Sequence, residues 1–173
     1  MKILLAIDRS KFSEAAIQAV IARGRTKDTE VRVLHVVEPP WLLVVGDMGG
    51  YDPALEVAWD EERKQAQILV AKTAETLRSH GMHVTTSVQQ GDSQSTIIDA
   101  SEEWHADLIV MGSHRRNALS RFLMGSVSEA IARHAHCSVE IVRIPSRRGE
   151  KSVRNSKEFT LAVPECAVVK HPA

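Results

Sequence analysis

The chain has 173 residues, 43% of them hydrophobic and 25% charged, and its 22 basic and 22 acidic side chains leave no formal net charge. That length suits one domain whose core needs no covalent staples, and the balanced charge gives no electrostatic footprint for nucleic acid or an anionic membrane. Two cysteines, Cys137 and Cys166, are too few for a disulfide framework. The apolar run near the N-terminus, Ile3 to Ile7, is too short for a secretory core or a membrane span, so the expected location is the cytoplasm, with reduced thiols.

Ile3 to Ile7 is a continuous apolar run closed by Asp8, the pattern of a strand buried on both faces. Ser10 is placed to cap a helix in which Phe12, Ala15, Ala16, Ala19, Val20 and Arg23 keep helical spacing, and Gly24 is its expected stop. Val31 to Val37 forms a second strand, ended by Pro39-Pro40. The stretch 38–52 is punctuated by Gly46, Gly49 and Gly50 and reads as a loop. Trp41 and Tyr51 flank it as candidates for a lid. Asp52-Pro53 then starts a long helix, with the proline at its first position and Gly81 at its end. Met82 to Val88 makes a third strand, and Gly91-Asp92-Ser93 opens a helix carrying Ile97, Ile98 and Trp104 inward. Asp107 to Gly112 is the clearest buried strand; a basic loop from Ser113 to Met124 leads to a helix from about Gly125 to Ala135. A fifth strand, Ser138 to Ile144, is ended by Pro145.

Strand and helix thus alternate through residues 1–145, which predicts a parallel sheet with right-handed crossovers and helices on both faces. Residues 146–173 form an extension: first a polar, basic linker, then two short apolar runs, Phe159 to Val163 and Cys166 to Val169, suited to an extra edge strand or to a partner.

Ligands of open α/β sheets bind beyond the carboxyl ends of the strands. Asp8 lies there after the first strand, and Gly112-Ser113-His114-Arg115 lies there after the fourth. A glycine lets backbone approach a ligand closely, and Gly125-Ser126-Val127-Ser128 supplies helix N-terminal N–H groups and hydroxyls for an anion. Together these describe a phosphate cradle, although the spacing matches neither GxGxxG nor GxxxxGK[ST].

The segment from Asp107 to Arg143, with Met1 to Ser10, resembles the universal stress protein family. The family pattern Gly-x2-Gly-x9-Gly-(Ser/Thr) becomes Gly112, Arg115 and Gly125-Ser126; the family's Asp-x-Ser becomes Asp8-Arg9-Ser10; its His-Val pair becomes His35-Val36. The resemblance implies an open five-stranded sheet of order 3-2-1-4-5, of the adenine nucleotide alpha hydrolase-like type, and a homodimer joined through the last strand. It also implies an adenine nucleotide, ATP foremost, with magnesium as a companion ion. Adenine would pack near Val36, ribose near Asp8 and Gly112, and phosphates on Gly125, Ser126, Val127 and Ser128.

Arg115 stands where the family pattern has its second glycine. Its side chain either fills the phosphate space or turns to pair with a phosphate, and the two outcomes separate two functions. One is a nucleotide-binding regulator in a stress response, acting on a protein partner. The other is a dimeric interaction module with no nucleotide. A weak ATPase is a third, but no general base or paired carboxylate stands near the loop, so an enzyme is the less favoured expectation. His134, His136 and Cys137 invite a metal, yet they straddle a helix end and a strand start, which works against convergence.

Overall fold

The computed structural model describes residues 1–23, 29–39, 53–113, 125–144 and 166–169. Arg115, Gly24, the loop with Trp41 and Tyr51, and the linker from 145 to 165 lie outside these residues. The elements run β1 (Lys2–Ala6), α1 (Lys11–Arg23), β2 (Glu30–Val37), α2 (Pro53–Ser79), β3 (His83–Gln90), α3 (Ser93–Glu103), β4 (Leu108–Gly112), α4 (Ser126–His134), β5 (Ser138–Val142) and β6 (Cys166–Val169). The first five strands are all parallel, in the order β3-β2-β1-β4-β5. β6 adds an antiparallel strand outside β5, with Ile141 opposite Ala167. The short apolar run near the C-terminus therefore serves as an edge strand.

Alternation along the strands sorts the core into two layers, because successive side chains leave a strand on opposite faces. Ile3, Leu5, Val31, Val33, Leu108, Val110 and Val142 pack with Ala16 and Val20 of α1 and with Val70 and Leu77 of α2. Leu4, Ala6, Leu34, Ile109, Met111, Val139 and Ile141 pack on the other face with Ile97 and Ala100 of α3 and Ile131 of α4. Most of these strand side chains are fully buried. Continuous apolar runs therefore carry two different faces, as a sheet covered on both sides requires.

The helix ends follow local chemistry. Ser10 Oγ accepts from Phe12 N at 3.2 Å and caps α1. Asp92 caps α3 by accepting from Gln94 N and Ser95 N at 3.1 and 3.0 Å. α2 ends in a paired turn in which Gly81 N donates to Arg78 O and Met82 N to Leu77 O, with Gly81 at φ +81°. α3 ends the same way, through His105 N to Glu102 O and Ala106 N to Ser101 O, but the left-handed position holds His105 at φ 53°.

The amino end of the sheet is closed by direct contacts. Lys2 N donates to Asp107 Oδ2 at 2.7 Å, and Asp107 N donates to Lys2 O at 2.9 Å. Arg32 and Lys2 lie over the Trp104 ring at 4.5 and 5.6 Å. Farther along, the buried Glu140 of β5 pairs with Arg23 at the end of α1, and Arg23 Nε donates to it at 2.8 Å.

Candidate functional site

The strand order places β1 between β2 and β4, so the carboxyl ends of β1 and β4 meet where the connections diverge to opposite sides, the position at which open sheets leave a crevice. Asp8, Val36, Gly112 and the first turn of α4 all lie at this end. The sequence-predicted residues that the structure describes are therefore brought to one end of the sheet; Arg115 lies outside the described residues.

Asp8 is occupied with folding as well as placed for binding. Its Oδ1 accepts from Ser10 N at 3.0 Å and from the hydroxyls of Ser10 and Ser13, each at 2.6 Å. Asp8 N in turn donates to Ser13 Oγ at 2.7 Å. This network fixes the turn from β1 into α1 and leaves the exposed carboxylate at the lip of the crevice. Ser13, buried in the first turn of α1, is a member the sequence reading missed; its place at one helical turn after the cap is the signal that would have found it.

Gly112 has a packing duty that the sequence did not show. A Cβ there would lie 2.7 Å from Phe12 Cβ and closer still to the backbone carbonyl of Phe12. What a Cβ would meet here is the first turn of α1, so the glycine's bare face serves helix–sheet packing.

His35 Nδ1 lies 2.7 Å from Ile7 O; since a carbonyl only accepts, Nδ1 carries the proton and the bond ties the end of β2 to the end of β1. Val36, next along β2, turns to the opposite face and packs on the layer that holds α3 and α4.

α4 begins at Gly125, which has φ −65° and ψ 152° and offers no side-chain cap. The N–H groups of a helix's first turn have no partner within the helix, and among the described residues no side chain caps those of Ser126, Val127 and Ser128. The two hydroxyls differ. Ser126 is exposed, whereas Ser128 is buried and its Oγ donates to Gly125 O at 2.9 Å, so it shapes the cap. Glu129, the acidic residue of this turn, is drawn away by Arg133 at 2.8 Å. The helix dipole adds positive potential at the same place.

Two further polar side chains lie at this end: Ser113, which the sequence places only as part of the loop after β4, and Arg143, which it gives no role. Ser113 directly follows β4, is 1% exposed, and among the described residues its Oγ has no hydrogen-bond partner. Arg143 directly follows β5, and its buried Nε is equally without a partner among the described residues. Leaving a buried donor unmet costs about 1–3 kcal/mol. Alternation from Met111 and from Ile141 would have placed both on the α4 side of the sheet.

A separate shallow hollow of about 500 Å³ lies at the opposite end of the sheet, lined by Ser101, Glu102, His105, Asp107 and Cys137 among others. His136 Nε2 stands 2.9 Å from Glu102 Oε1. Burial raises the Cys137 thiol above its ordinary value, with Asp107 adding to the effect against hydrogen bonds from Ser101 and Ile109. Among the described residues no three His, Cys, Asp or Glu side chains are grouped to hold a metal, and no described helix is long and apolar enough to cross a membrane.

Residues 1–143 match the model of the universal stress protein family. The chain is 32% identical over 146 residues to the universal stress protein MJ0531 of Methanocaldococcus jannaschii, covering 84% of each chain. It superposes on the solved hypothetical protein MJ0577 with a TM-score of 0.73 at 26% identity, covering 84% of this chain and 96% of that one. The same fold appears at 17% identity in an Arabidopsis thaliana family member solved with AMP bound, with a TM-score of 0.58 and covering 86% of this chain and 94% of that one. It also appears, again at 17% identity, in a universal stress protein solved with cAMP, with a TM-score of 0.60 and covering 82% and 96%. The two-faced parallel sheet, its order and the family match agree: the chain belongs to the universal stress protein family.

Proposed function

We propose that this protein is a regulator that binds an adenine nucleotide, ATP foremost, in the crevice at the carboxyl ends of β1, β2 and β4. The observation that carries this is the uncapped first turn of α4, whose N–H groups and dipole face the end of the sheet where Asp8, Val36 and Gly112 gather. Asp8 at the lip is suited to the ribose hydroxyls, Val36 to an adenine face, and Gly125 to Ser128 to phosphate oxygens. The AMP and cAMP in the two family structures belong to the same ligand class. Magnesium would neutralise charge on the phosphates; the protein's share is binding and orientation. Bound nucleotide would alter contacts with a protein partner.

A homodimer is part of the same proposal. β6 covers the outer edge of β5, the strand through which the resemblance implies a dimer, through four register pairs, so among the described residues the edge on that side that a second copy would meet is the outer side of β6. An unpaired edge strand is a template for such an addition.

Calorimetric titration of the purified protein with ATP and magnesium tests the proposal. Binding at about one site per chain with micromolar affinity, roughly −8 kcal/mol, is the expected outcome. No heat at several temperatures, with folded protein free of carried ligand, would leave the interaction module as the function. That second possibility has its own support, since Asp8 and Gly112 both have structural duties that need no nucleotide.

A further inference from the structure

β6 is joined to the sheet differently from every other strand. β1 to β5 run parallel, whereas β6 lies antiparallel on β5. Its register runs from Val139 opposite Val169 to Val142 opposite Cys166, which covers all of β5 but Ser138. The family match ends at residue 143, so β6 lies outside the matched segment. Antiparallel neighbours are ordinarily joined by a hairpin turn of about 2–5 residues, which fixes their register. Here the connection takes residues 143–165, far longer than such a turn.

The side chains of β5 are committed within the chain. Val139 and Ile141 pack in the layer with α3 and α4, and Val142 packs in the layer with α1 and α2. All three are 1% exposed. Glu140 is held by Arg23. What the outer edge of β5 offers is therefore its row of main-chain N–H and C=O groups, and an added strand gains ladder bonds there. A second copy of β5 fits this edge. One strand paired antiparallel with itself is the self-complementary arrangement of a two-fold dimer, and antiparallel is the direction in which the edge already takes β6. β6 thus occupies the place that a second β5 would take.

Tethering decides which strand wins. A strand carried on the same chain acts at up to roughly millimolar effective concentration, so a second copy at micromolar concentration competes at a disadvantage of about a thousandfold. The same arithmetic disfavours exchange of β6 between copies. β6 is also short, with four residues, against a usual five or six or so, and a short edge strand opens more readily than the core.

We propose that β6 is an autoinhibitory strand: it occupies the outer edge of β5 within its own chain and withholds that edge from β5 of a second copy, which pairs there when β6 is displaced. This goes beyond the dimer proposed above, which meets the outer side of β6, and the two give opposite outcomes when β6 is broken.

The test follows the full chain, wild type and with Ala167→Pro and Val168→Pro together, by amide hydrogen exchange over β5 and by sedimentation. Both are measured at a low protein concentration and at one about a hundredfold higher. Successive N–H groups of a strand point to opposite edges, so one of the two prolines removes a donor facing β5. In wild type the β5 amides should be protected equally at both concentrations. In the variant they should exchange at least about tenfold faster at the low concentration and regain protection at the high one as dimers form. Unchanged protection in the variant at low concentration overturns the covering role. Protection lost and not regained at high concentration overturns the inhibition. A variant that stays monomeric where wild type dimerises supports the dimer through the outer side of β6 and overturns this proposal. Val142→Cys gives a second measurement, decisive should the proline variant not fold. Directly opposite Cα atoms of an antiparallel ladder lie about 4.5–5.5 Å apart, within the span of a disulfide, so mild oxidation should join position 142 to Cys166 within one chain. The oxidised form should exchange its β5 amides more slowly than the reduced form, because β6 can no longer leave. No disulfide within the chain, or equal exchange in the two forms, overturns the assignment.

Discussion

Gly112→Ala separates the packing role of the β4 terminus from a ligand role. The new Cβ would sit 2.7 Å from Phe12 Cβ and nearer still to the Phe12 carbonyl carbon and oxygen. Carbon atoms in contact prefer about 3.5–4.0 Å, so α1 must retreat by about 1 Å. A flexible side chain would rotate away at small cost, but two of the three atoms are backbone. That backbone is anchored at Phe12 N itself, by Ser10 Oγ, and one residue on, by Ser13 on Asp8. Overpacking of this kind costs about 1–3 kcal/mol, and the rigidity here puts the expectation near 3 kcal/mol. For a domain of this size that lowers the melting temperature by roughly 6–12 °C. Urea unfolding should show a lower midpoint with an unchanged slope. A melting temperature within about 2 °C of wild type, accompanied by weakened nucleotide binding, would refute the packing argument and return Gly112 to the ligand.

The two helix ends with paired turns give an internal comparison: Gly81→Ala should cost about 1 kcal/mol through its positive φ alone, because a Cβ there meets nothing within 4 Å. His105→Gly, at the equivalent position of α3, should be neutral or stabilising by up to about 1 kcal/mol, read from urea midpoints. Arg23→Met should destabilise by a few kcal/mol and Glu140→Gln by less, because Glu140 is 1% exposed whereas the arginine side chain, 35% exposed, can turn to water; equal costs would contradict this. Cys137, whose thiol is raised chiefly by burial, makes stability fall as pH rises above the free thiol's value of about 8.5, because the unfolded chain loses that proton first. Midpoints measured between pH 7.5 and pH 10 should therefore decline more steeply for wild type than for Cys137→Ala, and parallel declines would remove the assignment.

Much of the fold was legible because its signals are local. Runs such as Leu108 to Met111 are apolar at every position only when both faces are covered, and Asp92 or Gly81 announce helix boundaries through chemistry confined to a few residues. The strand order entered through the family resemblance, since alternation alone leaves it open. Boundaries moved by one to three residues, as at β3, found at His83–Gln90 where Met82 to Val88 was expected; Gln89 and Gln90 extend the ladder opposite Val36 and Val37, a pairing no local pattern shows. The site was legible as a list but not as a set of duties. Asp8, Val36, Gly112 and Gly125 to Ser128 could all be named from the sequence as candidates, yet the packing of Gly112 on Phe12 depends on a contact between residues a hundred positions apart. Ser113 was placed in the loop after β4 but not as a buried hydroxyl without a partner, and Arg143 was given no role, because whether a polar atom is satisfied depends on contacts that no local pattern shows.

The two ends of the sheet differ in how their polar groups are used, and that difference supports the proposed carboxyl-end site more than any single residue does. At the amino end, Lys2 and Asp107 exchange backbone and side-chain bonds, and Trp104 is covered by two cations. His105 accepts a left-handed φ so that both turn bonds form. Those groups are satisfied within the chain, so an added ligand has little to gain there. At the carboxyl end, Asp8 closes its own turn, but a buried hydroxyl, a buried guanidinium nitrogen and a helix start without a side-chain cap are left over. Unmet donors at about 1–3 kcal/mol each are a large share of a typical domain stability of 5–15 kcal/mol. A fold that carries several at one end is therefore less stable alone than it is with an anion in place, and binding there is coupled to stability by mass action. ATP should accordingly raise the melting temperature of wild type more than that of Ser113→Ala, because the alanine variant has fewer unmet donors for the ligand to satisfy.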